Sequence, residues 1–389
     1  MKIKLILLFV TIAGGGLFYW GLEDVKQQLL LRMPHTPYEA KEVITPVQAK
    51  QESSEILAIR ATTNLDEQAV LYTRLIERIG PEQAQAELYK SGLSFDGQTH
   101  LLNHTVGDWL YEKYGVAGLS HCKDYFLSSC YHGFVIHAVG AGGFQALNEV
   151  METCWKNGGS TVAVQCAHAI GHGLLAYDRY ANLPKALTDC DRLATESANF
   201  PVYNCHDGVF MENIWAVHED GKPSKDRWLK DSDPIYPCND SRIDRKYIKA
   251  CWSNQPMRLY QLFVGDLARV GQVCLSITDK IHQATCFDGL ARQIHPLTKG
   301  SVDETFRMCA FMPKDWYYPC VTSIVRAGFG VGDRQVPYET CKQIDERGKA
   351  VCYNALTEII RAYTENNRSE RDVLCKRIPQ VLYQDRCIN

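Results

Sequence analysis

From Asp66 onward, hydrophobic and polar residues recur with the spacing of amphipathic helices. The segment LDEQAVLYTRLIERIG ends at Gly80, and Pro81 opens PEQAQAELYKSG, which closes on another glycine. Proline at the first helical position and glycine just past the last one are the usual marks of helix boundaries. A further helix is predicted over about Gly97 to Tyr114. Residues 66–121 are therefore predicted to form an N-terminal helical cap.

The first residues follow a different pattern, in which two lysines precede an uncharged, largely apolar run from Leu5 to Trp20. Two interpretations are open. The run is either a signal peptide with a cleavage site among the small residues after Ile12, or a short uncleaved anchor. The aromatic cluster at its end favours the anchor, since aromatic residues concentrate at membrane interfaces. Residues 1–21 are thus predicted to be a signal-anchor or signal peptide, with the membrane as the partner of this segment.

Residues 22–65 lack both cysteine and a strong apolar period, and they include three prolines and the polar run QAKQESSE. Such a composition is typical of an extended linker. This part of the chain is predicted to be a polar spacer between the membrane segment and the folded part.

The sixteen cysteines form eight close pairs at a nearly regular interval. Members of a pair are 8 to 15 residues apart, and 21 to 33 residues separate one pair from the next. The pairs are Cys122 with Cys130, Cys154 with Cys166, Cys190 with Cys205, Cys238 with Cys251, Cys274 with Cys286, Cys309 with Cys320, Cys341 with Cys352, and Cys375 with Cys387. Repetition at about 35 residues indicates a helical solenoid. We expect an all-α fold in which residues 122–389 form an α/α solenoid or superhelix of about eight helical hairpins, each clamped by its own disulfide.

Paired cysteines without a CxxC motif favour structural disulfides over zinc knuckles or a thioredoxin-type redox site. Disulfides persist outside the reducing cytosol, so the predicted location is extracytoplasmic: periplasm, cell surface or secretory lumen. The formal net charge is -3 and the sequence contains no basic run, which excludes nucleic acid as an expected partner.

The cysteine-paired hairpins from Cys122 to Cys387 resemble the secreted cysteine-rich Sel-type repeat proteins, which are relatives of the tetratricopeptide repeats. The resemblance is architectural, because the LGxxYxxGxGV consensus of that family is absent. It implies a disulfide-clamped solenoid and carries over no binding residues. It also implies one possible role, that of a non-catalytic scaffold that binds a protein, peptide or glycan along its concave face.

Alignment of the repeats on the second cysteine of each pair reveals two columns. Two positions after that cysteine the residues are polar: His132, His168, Asp207, Ser253, Asp288, Thr322 and Asn354. One position further on they are nearly all small: Gly133, Ala169, Gly208, Asn254, Gly289, Ser323 and Ala355. Small residues let neighbouring helices approach closely, so the second column is predicted to be packing. The polar column is predicted to line one surface of the superhelix, the concave one.

Nine of the twelve histidines lie between residues 100 and 218, whereas the later repeats keep the cysteines with few histidines. The fold itself therefore does not require histidine. His100, His104 and Asp108 share one helix face, and His168 and His172 are also spaced i, i+4, which allows two imidazoles to reach one ion.

The third repeat places Asp207 in the polar column, with Glu212 a little over one helical turn beyond it. The predicted metal ligands are His104, His132, His168, His172 and Asp207. This mixed imidazole and carboxylate set favours Zn, Fe or Mn. In a metal-assisted reaction, Glu212 or Asp108 is the predicted general base that activates water. The alternative is that the histidines only hydrogen-bond neighbouring loops and helices.

Overall fold

The computed structural model describes residues 53–389 except 94–96, 124, 127, 198, 216–226, 299, 331–334 and 366. The predicted signal-anchor, residues 1–21, and most of the predicted spacer lie outside the described residues. Among the helices that are described, none is long and apolar enough to cross a membrane.

The described chain is mainly helical, with 3₁₀ turns between some of the helices, turns and bends over residues 227–244, and no strand among these residues. The α-helices are α1 (Ser54–Ala61), α2 (Leu65–Ile79), α3 (Pro81–Lys90), α4 (Gly97–Tyr114), α5 (Ser129–Gly142), α6 (Leu147–Tyr177), α7 (Leu183–Glu196), α8 (Val202–Trp215), α9 (Ile248–Leu262), α10 (Leu267–Ser276), α11 (Lys280–Ile294), α12 (Val302–Cys309), α13 (Tyr317–Gly330), α14 (Val336–Gln343), α15 (Glu346–Tyr363), α16 (Arg368–Cys375) and α17 (Val381–Ile388). The all-α prediction is confirmed.

The predicted helix boundaries of the N-terminal cap are confirmed, and their capping groups explain them. The Asn64 side chain accepts a hydrogen bond from the backbone N–H of Glu67 at 3.1 Å and so caps the start of α2. Gly80 ends the helix at a φ of 87°, in a region that L side chains rarely adopt, and Pro81 then begins α3.

Part of the predicted spacer is folded. Residues Ser54–Ala61 form α1, and Ile56 and Ile59 are buried against α2. The guanidinium of Arg78 binds the Glu55 carboxylate at 2.7 Å. The folded region therefore includes a helix before the predicted boundary at Asp66. Helix α1 is short and only weakly amphipathic, so the sequence gives little indication of it. Its stability comes from packing on α2 and not from helix propensity.

All sixteen cysteines form disulfides, and every one pairs with its predicted nearest neighbour. The bonds join Cys122 to Cys130, Cys154 to Cys166, Cys190 to Cys205, Cys238 to Cys251, Cys274 to Cys286, Cys309 to Cys320, Cys341 to Cys352, and Cys375 to Cys387. These pairings confirm the disulfide-clamped solenoid and indicate an oxidising, extracytoplasmic compartment.

The segment that carries the first cysteine of a pair differs between repeats. Cys122 follows a 3₁₀ helix and Cys238 lies in a run of turns, so neither belongs to an α-helix. In the third repeat the bridge links two separate helices, since Cys190 lies in α7 and Cys205 in α8. The second repeat forms its hairpin inside α6, where Gly158 and Gly159 leave the helical conformation and Gly159 has a φ of 62°. Glycine tolerates this left-handed backbone, so the chain reverses there without a longer loop.

Helices that carry the second cysteine of each pair pack on one another in chain order: α5, α6, α8, α9, α11, α13, α15 and α17. The small-residue column lies at these contacts, as predicted. A Cβ atom added to Gly133 would lie 2.3 Å from the carbonyl oxygen of His104, and one added to Gly208 would lie 2.0 Å from that of His168. The glycines therefore let backbones touch and bring the adjacent polar column of one helix against the next.

We expect Gly208→Ala to destabilise the protein by about 1–3 kcal/mol, because the new methyl group meets the backbone of α6 and the two helices must separate. Urea unfolding of the oxidised protein measures the change. Gly271→Ala is the matched control. It also lies inside a helix, α10, but its Cβ would meet nothing within 4 Å, so its stability is expected to be unchanged or slightly increased. Equal losses in the two variants would contradict the close-packing role of Gly208.

The prediction that the polar column lines an open concave surface is wrong for most of its members. Four of the seven side chains are buried: His132, Asp207, Ser253 and Thr322. The column therefore runs mainly through the interior. Buried polar groups need partners, which directs attention to the contacts that they make.

Candidate metal centre

Five histidines from three successive helices lie together in the interior of the first repeats. His100 and His104 come from α4, His132 from α5, and His168 and His172 from α6. Neighbouring ring centroids are 4.8 Å to 6.3 Å apart. The structure thus brings together the four histidines that were predicted as ligands, and it adds His100.

Two of these imidazoles, His100 and His132, are oriented by hydrogen bonds at their outer nitrogens. The Nδ1 atom of His100 lies 2.7 Å from the carbonyl oxygen of Phe126. The Nε2 atom of His132 lies 3.3 Å from the Oε1 atom of Gln165. The Phe126 carbonyl can only accept, so the Nδ1 atom of His100 carries the proton and donates. With the amide oxygen of Gln165 facing the ring, the Nε2 atom of His132 is assigned the same role.

The inner nitrogens of these two rings face each other, with His100 Nε2 and His132 Nδ1 3.2 Å apart. When the outer nitrogens of neutral imidazoles are protonated, the inner ones present lone pairs. Burial lowers the pKa of His132 well below its ordinary value, and the charge of neighbouring histidines lowers it further. His132 is therefore neutral. The 3.2 Å separation is close to the roughly 3.3 Å between two imidazole nitrogens that bind one tetrahedral ion, so a cation coordinated by both would offset the repulsion of their lone pairs.

His104 completes a triad with His100 and His132. One potential ligand nitrogen from each of the three lies within 4.8 Å of the others. The triad is largely shielded, since His104 is 9% exposed and His132 is 6% exposed. This set could hold a metal ion, because imidazole nitrogens at such separations need only small rotations to meet at one centre.

His168 and His172 form a second arrangement of the same kind, one turn apart on α6. Their Nε2 atoms are 3.0 Å apart. The Nδ1 atom of His172 lies 2.7 Å from the Glu212 carboxylate, and the Nδ1 atom of His168 lies 3.4 Å from the Asp207 carboxylate. Both carboxylates come from α8, whose close approach to α6 depends on Gly208.

The two carboxylates are themselves held in place. Glu212 is 0% exposed, and its second oxygen accepts a hydrogen bond from the Tyr180 hydroxyl at 2.6 Å. Asp207 accepts from the side-chain amide of Asn254 at 2.9 Å and lies 3.8 Å from the Arg292 guanidinium. Burial alone would raise the pKa of Asp207, but Arg292 and the hydrogen bond from His168 outweigh it and hold the pKa well below its usual range. Asp207 is therefore ionised.

The two predicted general bases have different surroundings. Both oxygens of Glu212 are engaged, by His172 and Tyr180, which suits a group that positions His172 better than one that takes a proton from water. Asp108 is half-exposed and lies 3.6 Å from His137, whose pKa it raises through their hydrogen bond. It shares α4 with His100 and His104, but it contacts His137, which is outside the five histidines.

Several residues of the centre were not among the predicted ligands. His100 had a signal, the i, i+4 spacing to His104 in HLLNH, which the prediction used for the helix face and not for a ligand. The sequence offers no comparable signal for Gln165, Tyr180 or Arg292. Arg292 belongs to the fifth repeat, and only the stacking of helices brings it to an aspartate in the third.

No family model matches the chain, and neither a curated protein nor a solved structure matches it. The resemblance to Sel-type repeats stays an expectation about architecture. Any functional conclusion therefore comes from the geometry of the histidines.

Proposed function

We propose that this protein is an exported metal-binding solenoid, and that His100, His104 and His132 hold its ion. The observation that carries the proposal is the pair of inner nitrogens, His100 Nε2 and His132 Nδ1, which face each other 3.2 Å apart while both outer nitrogens are bound to acceptors. Metal-binding histidines typically have this arrangement, in which the second ring nitrogen donates to a carbonyl or carboxylate and fixes the ring.

The donor set narrows the choice among the predicted metals. Three imidazoles suit Zn²⁺ or Fe²⁺ better than Mn²⁺, which prefers oxygen ligands. Three protein ligands also leave a coordination position open, which is typical of catalytic zinc sites. A metal-assisted reaction therefore stays a prediction, as does binding of a protein, peptide or glycan partner.

Metal analysis of the full, oxidatively folded chain tests the proposal. The protein is stripped with a chelator, loaded with Zn²⁺, freed of excess ion and measured by mass spectrometry for zinc per chain. We expect the double variant His100→Ala/His104→Ala to bind one zinc ion fewer than the wild type, because two of the three ligands are gone.

His121→Ala is the control. This histidine is exposed and its partner is Glu82, so its loss is expected to leave the zinc content unchanged. The proposal fails if the double variant keeps the wild-type content, or if the wild type retains no zinc. Disulfide mapping and circular dichroism establish that both variants are folded.

A further inference from the structure

His168 and His172 do not belong to the triad, yet hydrogen-bond partners orient their rings as they orient those of His100 and His132. Each ring binds a carboxylate through Nδ1, and the structure provides those carboxylates from one neighbouring helix, α8. A carboxylate that accepts a hydrogen bond from Nδ1–H fixes the tautomer with its lone pair at Nε2 and increases the basicity of that nitrogen.

The two Nε2 atoms lie 3.0 Å apart in the interior. With both Nδ1 atoms donating to carboxylates, each neutral ring has its lone pair at Nε2. Two imidazole nitrogens about 2.0–2.1 Å from one tetrahedral ion are about 3.3 Å apart, which is close to the observed separation. A rotation of each ring would then direct both lone pairs to one ion.

We propose that His168 and His172 bind a second first-row divalent metal ion through their Nε2 atoms, with Asp207 and Glu212 as the positioning residues for the two rings. This site is separate from the triad and goes beyond the function proposed above, since it uses none of the triad's ligands. The His132 ring belongs to the triad, and its centroid lies 5.5 Å from that of His168. Two protein ligands leave positions for water or for an oxygen ligand supplied by a bound anion.

Zinc content and the visible absorption of Co²⁺ are the two measurements. We expect the wild type to bind two ions, His168→Ala/His172→Ala to bind one, and a variant with all four substitutions, at residues 100, 104, 168 and 172, to bind none. The Co²⁺ spectrum of His168→Ala/His172→Ala is expected to lose the bands of one site and keep those of the triad. His282→Ala, which removes a histidine of the fifth repeat that lies beside Asp279, is the control and is expected to change nothing.

The pattern of losses separates this proposal from the first. If the wild type binds one ion and only His100→Ala/His104→Ala removes it, the second site is overturned and the triad remains. If the wild type binds one ion and either double variant removes it, the histidines form a single shared centre, and the second site is again overturned. If His168→Ala/His172→Ala still binds two ions, His168 and His172 are not ligands and share only an N–H···N hydrogen bond. If the alanine variants do not fold, His168→Gln/His172→Gln keeps polar groups in the interior and must show the same loss of one ion.

Discussion

Full reduction of the eight disulfides is expected to unfold the solenoid at room temperature. The loops that the bridges close are 8 to 15 residues long, and on the chain-entropy model each such closure contributes about 3 kcal/mol. Domains are typically stable by only about 5–15 kcal/mol in total. Eight additive contributions would sum to about 24 kcal/mol, and even half of that sum is as large as the whole stability of a typical domain.

The measurement is circular dichroism after reduction and alkylation, compared with the oxidised protein in the same buffer. We expect the reduced chain to lose the cooperative thermal transition and most of its helical signal, because a hairpin unit cannot bury its apolar face alone. Alkylation of the oxidised protein without reductant is the control, and it should change neither the thermal transition nor the helical signal. A reduced chain that still melts cooperatively near the oxidised midpoint would show that core packing, and not the clamps, holds the repeats together.

Replacement of Glu212 by glutamine is expected to destabilise the metal-free protein by about 1–3 kcal/mol. The carboxylate is fully buried and accepts from both His172 and Tyr180. Glutamine has nearly the same volume but only one acceptor oxygen, so its amide group must face one of the two donors. Alanine, which also opens a cavity, is expected to cost more, about 3–5 kcal/mol.

Urea unfolding with the disulfides intact measures this loss. Glu358→Gln is the matched control, because Glu358 pairs with Arg326 at 2.9 Å on the surface, with 67% of its side chain exposed. Exposed pairs contribute less than about 1 kcal/mol. The ion affinity gives a second readout, since loss of a positioning carboxylate typically weakens metal binding about 10- to 100-fold. If Glu212→Gln and Glu358→Gln proved equally stable and bound metal equally well, Glu212 would have no part in orienting His172.

The repeat architecture is readable from the sequence because it is local. The partner cysteines are 8 to 15 residues apart, so a helical hairpin of that length permits hardly any other pairing. Small residues such as Gly208 were identified as packing positions for a similar reason, since helices stacked by a repeat meet at equivalent places. In contrast, α1 was missed because its stability comes from burial of Ile56 and Ile59 against another helix.

Only part of the histidine centre can be predicted from the sequence. Spacing of i, i+4 determined that His100 and His104 share one face and that His168 and His172 share another. The meeting of the two groups depends on how closely α4, α5 and α6 approach one another. Gly133 meets the backbone of α4, and Gly173 packs on the Val139 side chain of α5.

What the sequence indicated by itself was an oxidising compartment, the number of clamps and the region in which the histidines cluster. The tertiary structure decided which way the ring nitrogens point. That choice depends on acceptors far away in the chain, such as the Phe126 carbonyl for His100 and the Glu212 carboxylate for His172. A hydrogen bond is short-ranged and directional, so its partner is defined only when separate helices have packed.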